Sequence, residues 1–151
     1  MNENDELKPF TAKDQNGETF DVSKYLGKKP LVIYFYPKDF TPGCTKEACS
    51  FRDRYEDFQE LGAEVIGISG DSEKSHQRFA KKYNLPFTLL SDQDGKLRKQ
   101  FGVKKSILGL IPGRETFIFN AEGKLVLKFN SLNADPHIRK ALKTLKELNS
   151  V

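Results

Sequence analysis

An uninterrupted apolar run at residues 31–36 (LVIYFY) constrains the fold of this chain more than any other segment. It is β-branched and aromatic, does not alternate with polar residues and stops at Pro37, which predicts a strand covered on both faces. A helical pattern then continues to about Leu61, and residues 63–69 form a second apolar run of the same kind. A strand, a helix and a strand in this order predict a right-handed parallel crossover and hence an α/β fold.

The remaining chain continues as an alternation of helices and strands. Helices are predicted at residues 73–83 and shortly before Phe101, and a short strand at 87–90. Residues 115–120 and 124–130 flank a turn and predict a hairpin. A last helix begins at Asp135, with an apolar stripe that is expected to pack on the sheet. Residues 1–18 form a polar lead-in, and residues 1–151 are predicted to form one domain.

The charge pattern argues against a nucleic-acid-binding protein. The chain has 25 Lys+Arg and 21 Asp+Glu, a formal net charge of +4, with basic residues scattered among acidic ones. A nucleic-acid surface needs clustered basic residues and exposed aromatics, so the charge is expected to serve solubility. The apolar run of residues 31–36 is far shorter than the roughly 20 residues of a membrane helix, and no membrane association is expected. The polar N-terminus resembles no targeting peptide.

These features predict a cytoplasmic protein, or an organellar one from which a transit peptide was removed. Two cysteines are too few for a disulfide scaffold, and with only two histidines they make a poor set of metal ligands. We therefore expect neither a bound metal nor a cofactor. His76 and His137 lie in polar helical segments away from the cysteines and are expected at the surface.

Cys44 occupies a position that favours an ionised sulfur. Thr41 is a suitable N-cap and Pro42 a suitable first helical residue, which makes Cys44 the third residue of its helix. Free backbone N–H groups and the positive end of the helix dipole favour an anion there, and the thiolate is the reactive form of cysteine. The alternative is that Cys44 and Cys49 are two unconnected buried residues, the usual role of intracellular cysteine.

The spacing of the two cysteines implies a conformational change if both sulfurs react. Cys49 follows Cys44 by five residues, which an intact helix holds about 140° apart around its axis and about 7.5 Å apart along it. A disulfide needs Cα atoms about 4.4–6.8 Å apart with converging side chains. The helix must therefore unwind locally before these sulfurs can be joined.

The segment from Pro37 to Cys44 (PKDFTPGC) matches the Pro-x-x-x-Thr-x-x-Cys signature of peroxiredoxins and follows a buried strand, as it does in that family. The segments TKEACSFRD at 45–53 and GRETFI at 113–118 are similar to the bacterioferritin comigratory protein, or peroxiredoxin Q, subfamily. In that subfamily the resolving cysteine follows the peroxidatic one by five residues. The resemblance covers nearly the whole chain and implies a thioredoxin-like fold, with a central mixed sheet flanked by helices.

The resemblance also implies an activity, the thiol-dependent reduction of hydrogen peroxide and organic hydroperoxides. Cys44 would attack the peroxide and become a sulfenic acid, and Cys49 would resolve it as an intramolecular disulfide. The Thr41 hydroxyl and the Arg114 guanidinium would hold the peroxide and stabilise the leaving oxygen. A Thr41 hydroxyl that caps its helix would be less available to hold the peroxide, although one hydroxyl can fill both roles.

Two more residues belong to the site that the resemblance implies. Pro37 would pack over the sulfur and limit access of water, and the backbone N–H groups of Gly43 and Cys44 would add contacts to the peroxide or thiolate. Glu47 lies one turn after Cys44, where it is placed to hold either Arg114 or Arg52. A solvated carboxylate on the helix surface is the more ordinary interpretation, so Glu47 is not included among the predicted site residues.

Thioredoxin or a similar dithiol protein is the implied reductant of the disulfide. Because no cysteine lies near the C-terminus, we expect resolution within one chain and a monomer, although the apolar loop at residues 107–111 offers a surface for a second molecule. Two alternatives remain open. One is a peroxide-responsive redox sensor that uses the same thiol switch on a partner protein, and the other is a binding module with inert cysteines.

Overall fold

The computed structural model describes residues 1–103, 105–106, 111–112, 114–131 and 135–149. Its strands are β1 (Thr11–Asp14), β2 (Thr19–Asp21), β3 (Leu31–Phe35), β4 (Glu64–Ser69), β5 (Thr88–Ser91), β6 (Lys105–Ser106), β7 (Ile111–Pro112), β8 (Glu115–Phe119) and β9 (Leu125–Asn130). Its helices are α1 (Pro42–Asp53), α2 (Tyr55–Glu60), α3 (Glu73–Tyr83), α4 (Lys96–Phe101) and α5 (Asp135–Asn149).

Seven strands form one mixed sheet in the order β2-β1-β5-β4-β3-β8-β9. β3 pairs in parallel with β4 and antiparallel with β8, and β4 pairs in parallel with β5. The predicted parallel crossover and the predicted hairpin β8–β9 are both confirmed. The mixed sheet with flanking helices confirms the predicted thioredoxin-like fold class.

β3 lies near the middle of the sheet and is buried on both faces, as its continuous apolar sequence predicted. Successive side chains point to opposite faces of a strand. Val32, Tyr34 and Tyr36 therefore join one core cluster, which includes residues of α1, α2, α3 and α5. Leu31, Ile33 and Phe35 join the other cluster, which includes residues of α4. No helix within the described ranges is both long and apolar enough to cross a membrane.

The helix after β3 differs in one detail from the prediction. It is interrupted at Arg54, whose backbone (φ −108°, ψ 8°) separates α1 from α2. Phe51 and Phe58 on either side of the break are both fully buried. The apolar periodicity continues across Arg54, so it predicted a single helix to Leu61, and that prediction was wrong. Cys44 and Cys49 both lie within the unbroken α1.

The N-terminal segment contains a strand that the sequence pattern did not predict. β1 pairs antiparallel with both β2 and β5, yet its four side chains are exposed or half-exposed. Without buried side chains β1 leaves no apolar signal, and its pairing partners alone define it. The short antiparallel pair β6–β7 flanks the predicted apolar loop at residues 107–111. Residues 107–110 of that loop lie outside the described residues.

Candidate active site

Cys44 lies at the start of α1, as the sequence predicted. Thr41 occupies the N-cap position with an extended backbone (φ −76°, ψ 150°), and Pro42 begins the helix. Cys44 is therefore the third helical residue, and its side chain is only 2% exposed. Both Cys44 and Cys49 are free thiols. The first N–H groups of a helix have no partner within it, so the start of α1 offers donors to an anion.

The Thr41 side chain does not cap this helix, which corrects the predicted capping role of its hydroxyl. The Oγ1–H instead donates to the carbonyl oxygen of Lys38 at 2.7 Å. This local bond directs the hydroxyl toward the preceding loop. A hydroxyl that donates one hydrogen bond keeps its oxygen lone pairs, so Thr41 can still accept a hydrogen bond from a ligand.

Arg114 reaches the cysteine because of the strand register. β8 lies antiparallel to β3, and Glu115 is level with Phe35, the last residue of β3. Arg114 therefore lies just beyond the end of β3, where the chain turns into α1. Its side chain is 5% exposed, and Nη2 donates to the Cys44 sulfur at 3.4 Å. Arg114 is therefore a buried residue of the site and not a surface arginine.

Glu47 is fully buried, and its Oε1 accepts a very short hydrogen bond from Arg114 Nη1. The expectation of a solvated carboxylate was therefore wrong. Arg114 bridges the sulfur and the carboxylate, which lie on the same side of α1 because three residues separate them. That spacing, together with the buried Ala48 and Phe51 beside it, was the sequence signal for a buried Glu47.

The electrostatics of this group follow from burial and proximity. Burial raises the pKa of Glu47 to about 8, against the opposing effect of Arg114. Burial also opposes the charge on Arg114, but the neighbouring Glu47 and Cys44 raise its pKa above the ordinary value. Arginine is already protonated throughout the accessible pH range. The site therefore holds a permanent cation in contact with the sulfur.

His137 lies behind Glu47 and is fully buried, so the prediction of a surface residue was wrong. Its Nδ1 lies 2.7 Å from Thr116 Oγ1 and 3.9 Å from Glu47 Oε2, and its Nε2 lies 2.8 Å from the Ser131 carbonyl oxygen. Burial lowers the pKa of His137 to about 4. The polar residues around His137 in sequence hid its burial, because α5 turns this side chain toward β8.

The other predicted site residues lie in the same region. Gly43 is exposed, and a Cβ atom built on it comes within 3.0 Å of Arg114 Nη2, so Arg114 occupies the space that a side chain would need. Pro37 is half-buried just after β3, and Cys49 is half-buried on α1. Because α1 is an intact helix through both cysteines, their sulfurs cannot form a disulfide in this conformation.

A second buried polar network anchors the loop that precedes Cys44. Asp39 accepts a hydrogen bond from the Tyr36 hydroxyl at 2.6 Å and lies 2.7 Å from His76 Nδ1. His76 Nε2 donates to the Leu90 carbonyl oxygen at 3.0 Å, and the Asp39 N–H donates to Asp71. His76 is fully buried, so the surface prediction for it was wrong as well. The network joins the loop to α3 and β5.

The oxygen and nitrogen atoms of Asp39, Asp71 and His76 lie within 4.8 Å of one another. This set resembles a group of metal ligands, but the three residues already use these atoms in hydrogen bonds to the protein. Nothing in the site requires an ion, and the expected absence of a metal stays a prediction. The described contacts give the cluster a structural role under the active-site loop.

Comparisons with known proteins agree with this geometry. The model of the AhpC/TSA family matches residues 4–128. The chain is 55% identical over 141 residues to the chloroplastic peroxiredoxin Q of Sedum lineare, and 54% identical over 140 residues to that of Populus jackii. These matches cover 93% and 92% of this chain, and 75% and 65% of the two relatives.

Solved structures give the same result. The peroxidoxin BcpB of Mycobacterium tuberculosis superposes with a TM-score of 0.89 at 39% identity, over 97% of each chain. The bacterioferritin comigratory protein of Xanthomonas campestris superposes with a TM-score of 0.85 at 34% identity, over 91% of this chain and 90% of the other. Both proteins therefore share the fold of this chain over nearly its whole length.

Proposed function

This chain belongs to the AhpC/TSA family and is a thiol-dependent peroxidase of the peroxiredoxin class, and from this premise we propose that Cys44 is the peroxidatic cysteine. The observation that supports the assignment is the hydrogen bond of 3.4 Å from Arg114 Nη2 to the Cys44 sulfur, at the start of α1. A sulfur that attacks a peroxide must be a thiolate, and a neighbouring guanidinium and a helix N-terminus both favour that form.

The proposed reaction begins with attack of the Cys44 thiolate on one oxygen of the hydroperoxide. The S–O bond forms as the O–O bond breaks, and the departing alkoxide or hydroxide takes up a proton to leave as an alcohol or water. Cys44 is then a sulfenic acid. Negative charge develops on the departing oxygen, and Arg114 stabilises it through a charge-assisted hydrogen bond.

Thr41, Gly43, Pro37 and the backbone of Cys44 complete the peroxide site in this proposal. The Thr41 oxygen accepts the hydrogen bond of the peroxide O–H, since its own proton is used in the bond to Lys38. The backbone N–H groups of Gly43 and Cys44 donate to the bound oxygens. Pro37 covers the sulfur from the end of β3 and limits access of water, which strengthens the hydrogen bonds inside the site.

Cys49 resolves the sulfenic acid in the second step. Its thiolate attacks the Cys44 sulfur, the S–S bond forms, and the hydroxyl group of the sulfenic acid leaves as water after protonation. Because α1 is intact in the described conformation, at least the turns between the two cysteines must unwind first. An external dithiol then reduces the disulfide by thiol exchange.

The substrate is a peroxide and the reductant a thiol, as membership of this class implies. We assign the reductant more closely as thioredoxin or a similar dithiol protein. Organic hydroperoxides are included among the proposed substrates because the similar Xanthomonas protein is described by its alkyl peroxide reduction activity. A monomer and a cytoplasmic location stay predictions, and the chloroplastic relatives support an organelle as the alternative location.

A pair of cysteine variants tests the proposed roles. Reduced Cys49→Ser protein treated with one equivalent of hydroperoxide is expected to retain a sulfenic acid at residue 44, detected by trapping with a dimedone-type reagent and mass spectrometry. Under the same conditions Cys44→Ser is expected to consume no peroxide, and the unsubstituted chain to form the disulfide. The Cys49→Ser chain has a single cysteine and cannot form an intramolecular disulfide. If its sulfenic acid is nevertheless lost rapidly when no other thiol is present, the proposed role of Cys49 is contradicted.

Steady-state turnover separates a peroxidase from a redox sensor. With thioredoxin, thioredoxin reductase and NADPH in excess, the chain is expected to consume many equivalents of hydroperoxide. A sensor that uses the same switch reacts about once and stops until its partner acts. Consumption limited to one equivalent, with the disulfide accumulated, therefore favours the sensor and contradicts the proposed physiological cycle.

A further inference from the structure

Phe40, in the loop before Cys44, has a backbone conformation that its residue type rarely adopts. Its φ is 66°, in the left-handed region. There the Cβ atom of an L-residue lies close to the following carbonyl oxygen, which makes the conformation costly for a bulky residue. The other non-glycine residues with positive φ in the described part of the chain are Asn4 and Asn84, and asparagine tolerates this region. The surrounding structure must therefore hold Phe40 in place.

Asp39, the residue before this strained position, is held by both its side chain and its backbone. Oδ1 accepts a hydrogen bond from the Tyr36 hydroxyl at 2.6 Å. Oδ2 accepts one from the Ser75 hydroxyl at 2.9 Å and lies 2.7 Å from His76 Nδ1. The Asp39 N–H donates to Asp71 Oδ2 at 2.9 Å. We refer to these four contacts as the Asp39 clamp, and because Asp39 is only 3% exposed, water has little access to weaken them.

Thr41, the residue after the strained position, is held by two further hydrogen bonds. Its carbonyl oxygen accepts from the Thr45 N–H at 2.8 Å, at the start of α1. Its hydroxyl donates to the Lys38 carbonyl oxygen at 2.7 Å. The second bond runs back across the turn, so it requires the change of chain direction that the left-handed Phe40 provides. If Phe40 left this region, the Thr41 hydroxyl would lose its contact with Lys38.

The bond to Lys38 matters for the proposed reaction because it uses the proton of the Thr41 hydroxyl. The oxygen of that hydroxyl then remains an acceptor for the peroxide O–H. We propose that the Asp39 clamp holds Phe40 in its left-handed conformation and thereby keeps the Thr41 oxygen available to the peroxide. This inference deepens the proposed function and rests on it.

Asp39, Ser75 and His76 are positioning residues in this inference, since they act on the peroxide through Thr41. Ser75 and His76 belong to α3, so the clamp connects that helix to the active-site loop. The contact that favours the thiolate comes from elsewhere, because Arg114 reaches the sulfur from the start of β8. Loss of the clamp is therefore expected to impair the reaction with peroxide more than the general reactivity of the thiolate.

Asp39→Ala tests this difference in chains shown to be folded by circular dichroism. The second-order rate constant for oxidation of Cys44 by hydrogen peroxide is expected to fall about tenfold, because a residue other than glycine adopts the left-handed region in only a few per cent of cases. Alkylation of Cys44 by iodoacetamide needs the thiolate but not Thr41, and its rate is expected to change by less than about twofold.

Asp92→Ala is the matched control for loss of a buried carboxylate. Asp92 is 5% exposed and accepts the backbone N–H groups of Leu97 and Arg98 at the start of α4. Because α4 belongs to the core cluster on the other face of the sheet, Asp92→Ala is expected to lose stability but to keep both rates. An equal loss of the oxidation rate in Asp39→Ala and Asp92→Ala contradicts a positioning role.

Substitutions of Phe40 in the Asp39→Ala chain separate the backbone from the ring. The Phe40 ring packs on Phe79 with their centroids 5.1 Å apart, and replacement by glycine or alanine removes this contact. Glycine adopts positive φ about as readily as negative φ. Added Phe40→Gly is therefore expected to raise the rate of Cys44 oxidation severalfold, whereas added Phe40→Ala leaves it low. If both restore the rate equally, the link through the backbone of residue 40 is contradicted.

Ser75→Ala is a milder test, because it removes one of the donors to Asp39 and alanine is at least as favourable as serine in a helix. The rate of Cys44 oxidation is expected to fall severalfold. Gln77→Ala, at an exposed position of α3, is its control and is expected to keep the rate. Ser75→Ala and Asp39→Ala chains that are oxidised as fast as Gln77→Ala overturn this inference alone. An unsubstituted chain that peroxide does not oxidise at Cys44 overturns the proposed function as well.

Discussion

Arg114 Nη2 lies 3.4 Å from the sulfur of Cys44, although 70 residues separate the two in sequence. The antiparallel register of β8 on β3 creates this contact, because it places Arg114 level with the start of the segment that leads into α1. The same guanidinium also holds Glu47. One planar cation thus contacts both potential anions of the site, and the chemistry of Cys44 depends on that geometry.

Replacement of Arg114 by lysine is expected to slow peroxide reduction even though the charge is kept. A lysine ammonium cannot make the planar, two-pronged contact to the Glu47 carboxylate and the sulfur at once. We expect the second-order rate constant with hydrogen peroxide to fall by about 10²-fold or more, the usual effect of losing one donor to a developing oxyanion. Arg139→Lys, at an exposed position of α5, is the control, and an equal effect in both variants contradicts the prediction.

Gly43→Ala is expected to separate stability from activity. Alanine is favoured over glycine in a helix by roughly 0.5–1 kcal/mol, so the free energy of unfolding is expected to stay equal or rise. The new Cβ, however, meets Arg114 Nη2 at 3.0 Å and displaces the guanidinium. Peroxidase activity is therefore expected to fall severalfold, measured as the rate of sulfur oxidation. Thr45→Ala is the control, because it raises helix propensity without adding an atom. It is expected to keep the rate of sulfur oxidation of the unsubstituted chain.

Tyr34 on β3 and Tyr36, the first residue after β3, form a matched pair in the same core cluster. Both are fully buried, but the Tyr34 hydroxyl has no hydrogen-bond partner among the residues that the structure describes, whereas the Tyr36 hydroxyl donates to Asp39 at 2.6 Å. Tyr34→Phe is expected to leave the free energy of unfolding unchanged or raise it by about 1 kcal/mol, because an unsatisfied group is removed. Tyr36→Phe is expected to lower it by about 1–3 kcal/mol, because a buried carboxylate loses a donor.

Urea denaturation of the two reduced variants checks the tyrosine prediction. The slope of the unfolding free energy with urea is expected to be the same for both, since neither changes the buried surface much. The order of stability is the deciding result. If Tyr34→Phe is as destabilising as Tyr36→Phe, the Tyr34 hydroxyl makes a hydrogen bond in solution, and the interpretation of the core is wrong at that residue.

The stability of the reduced chain is expected to fall as the pH rises from about 6.5 to about 8. Folding raises the pKa of Glu47 from 4.5 to about 8, so in that interval the folded chain binds a proton that the unfolded chain does not, and stability falls with pH. Folding lowers the pKa of His137 from 6.5 to about 4, so stability rises with pH between those values. The two effects largely cancel between 4.5 and 6.5.

Of these two effects, only that of Glu47 remains above pH 6.5, and it amounts to roughly 2 kcal/mol for one and a half pH units. Urea denaturation of the unsubstituted chain and of Glu47→Gln at pH 6.5 and pH 8 measures it. Relative to the unsubstituted chain, Glu47→Gln is expected to have a higher free energy of unfolding at pH 8 than at pH 6.5. A pH-independent difference between them shows that Glu47 does not titrate there.

Several features of the site could be read from neighbouring residues. The motif residues Thr41 and Pro42 begin α1, and Cys44 is the third residue of that helix, as their local preferences predicted. The five-residue spacing of Cys44 and Cys49 already excluded a disulfide across an intact helix. The crossover from β3 to β4 and the hairpin β8–β9 also lie where the apolar patterns placed them.

Errors arose where burial depends on distant elements. His137 and Glu47 occur among polar residues in sequence, yet α5, β8 and α1 enclose both of them. His76 is buried because Asp39 and Leu90, which are far from it in sequence, supply its hydrogen bonds. A buried polar residue with partners does not itself contribute to an apolar pattern, so such patterns assign it to the surface. For Glu47 the spacing from Cys44, Ala48 and Phe51 is the one local indication of burial.

Local sequence specifies the helices and strands that have an apolar face, the start of the helix that carries Cys44 and the separation of Cys44 from Cys49 along that helix. These features depend on residues that are close together along the chain. The tertiary structure alone decided that Arg114 meets Cys44, that Glu47 and His137 face each other, and that β1 joins the sheet. Those relationships depend on strand order and register. A register is fixed by the packing of the whole core, so no single segment contains it.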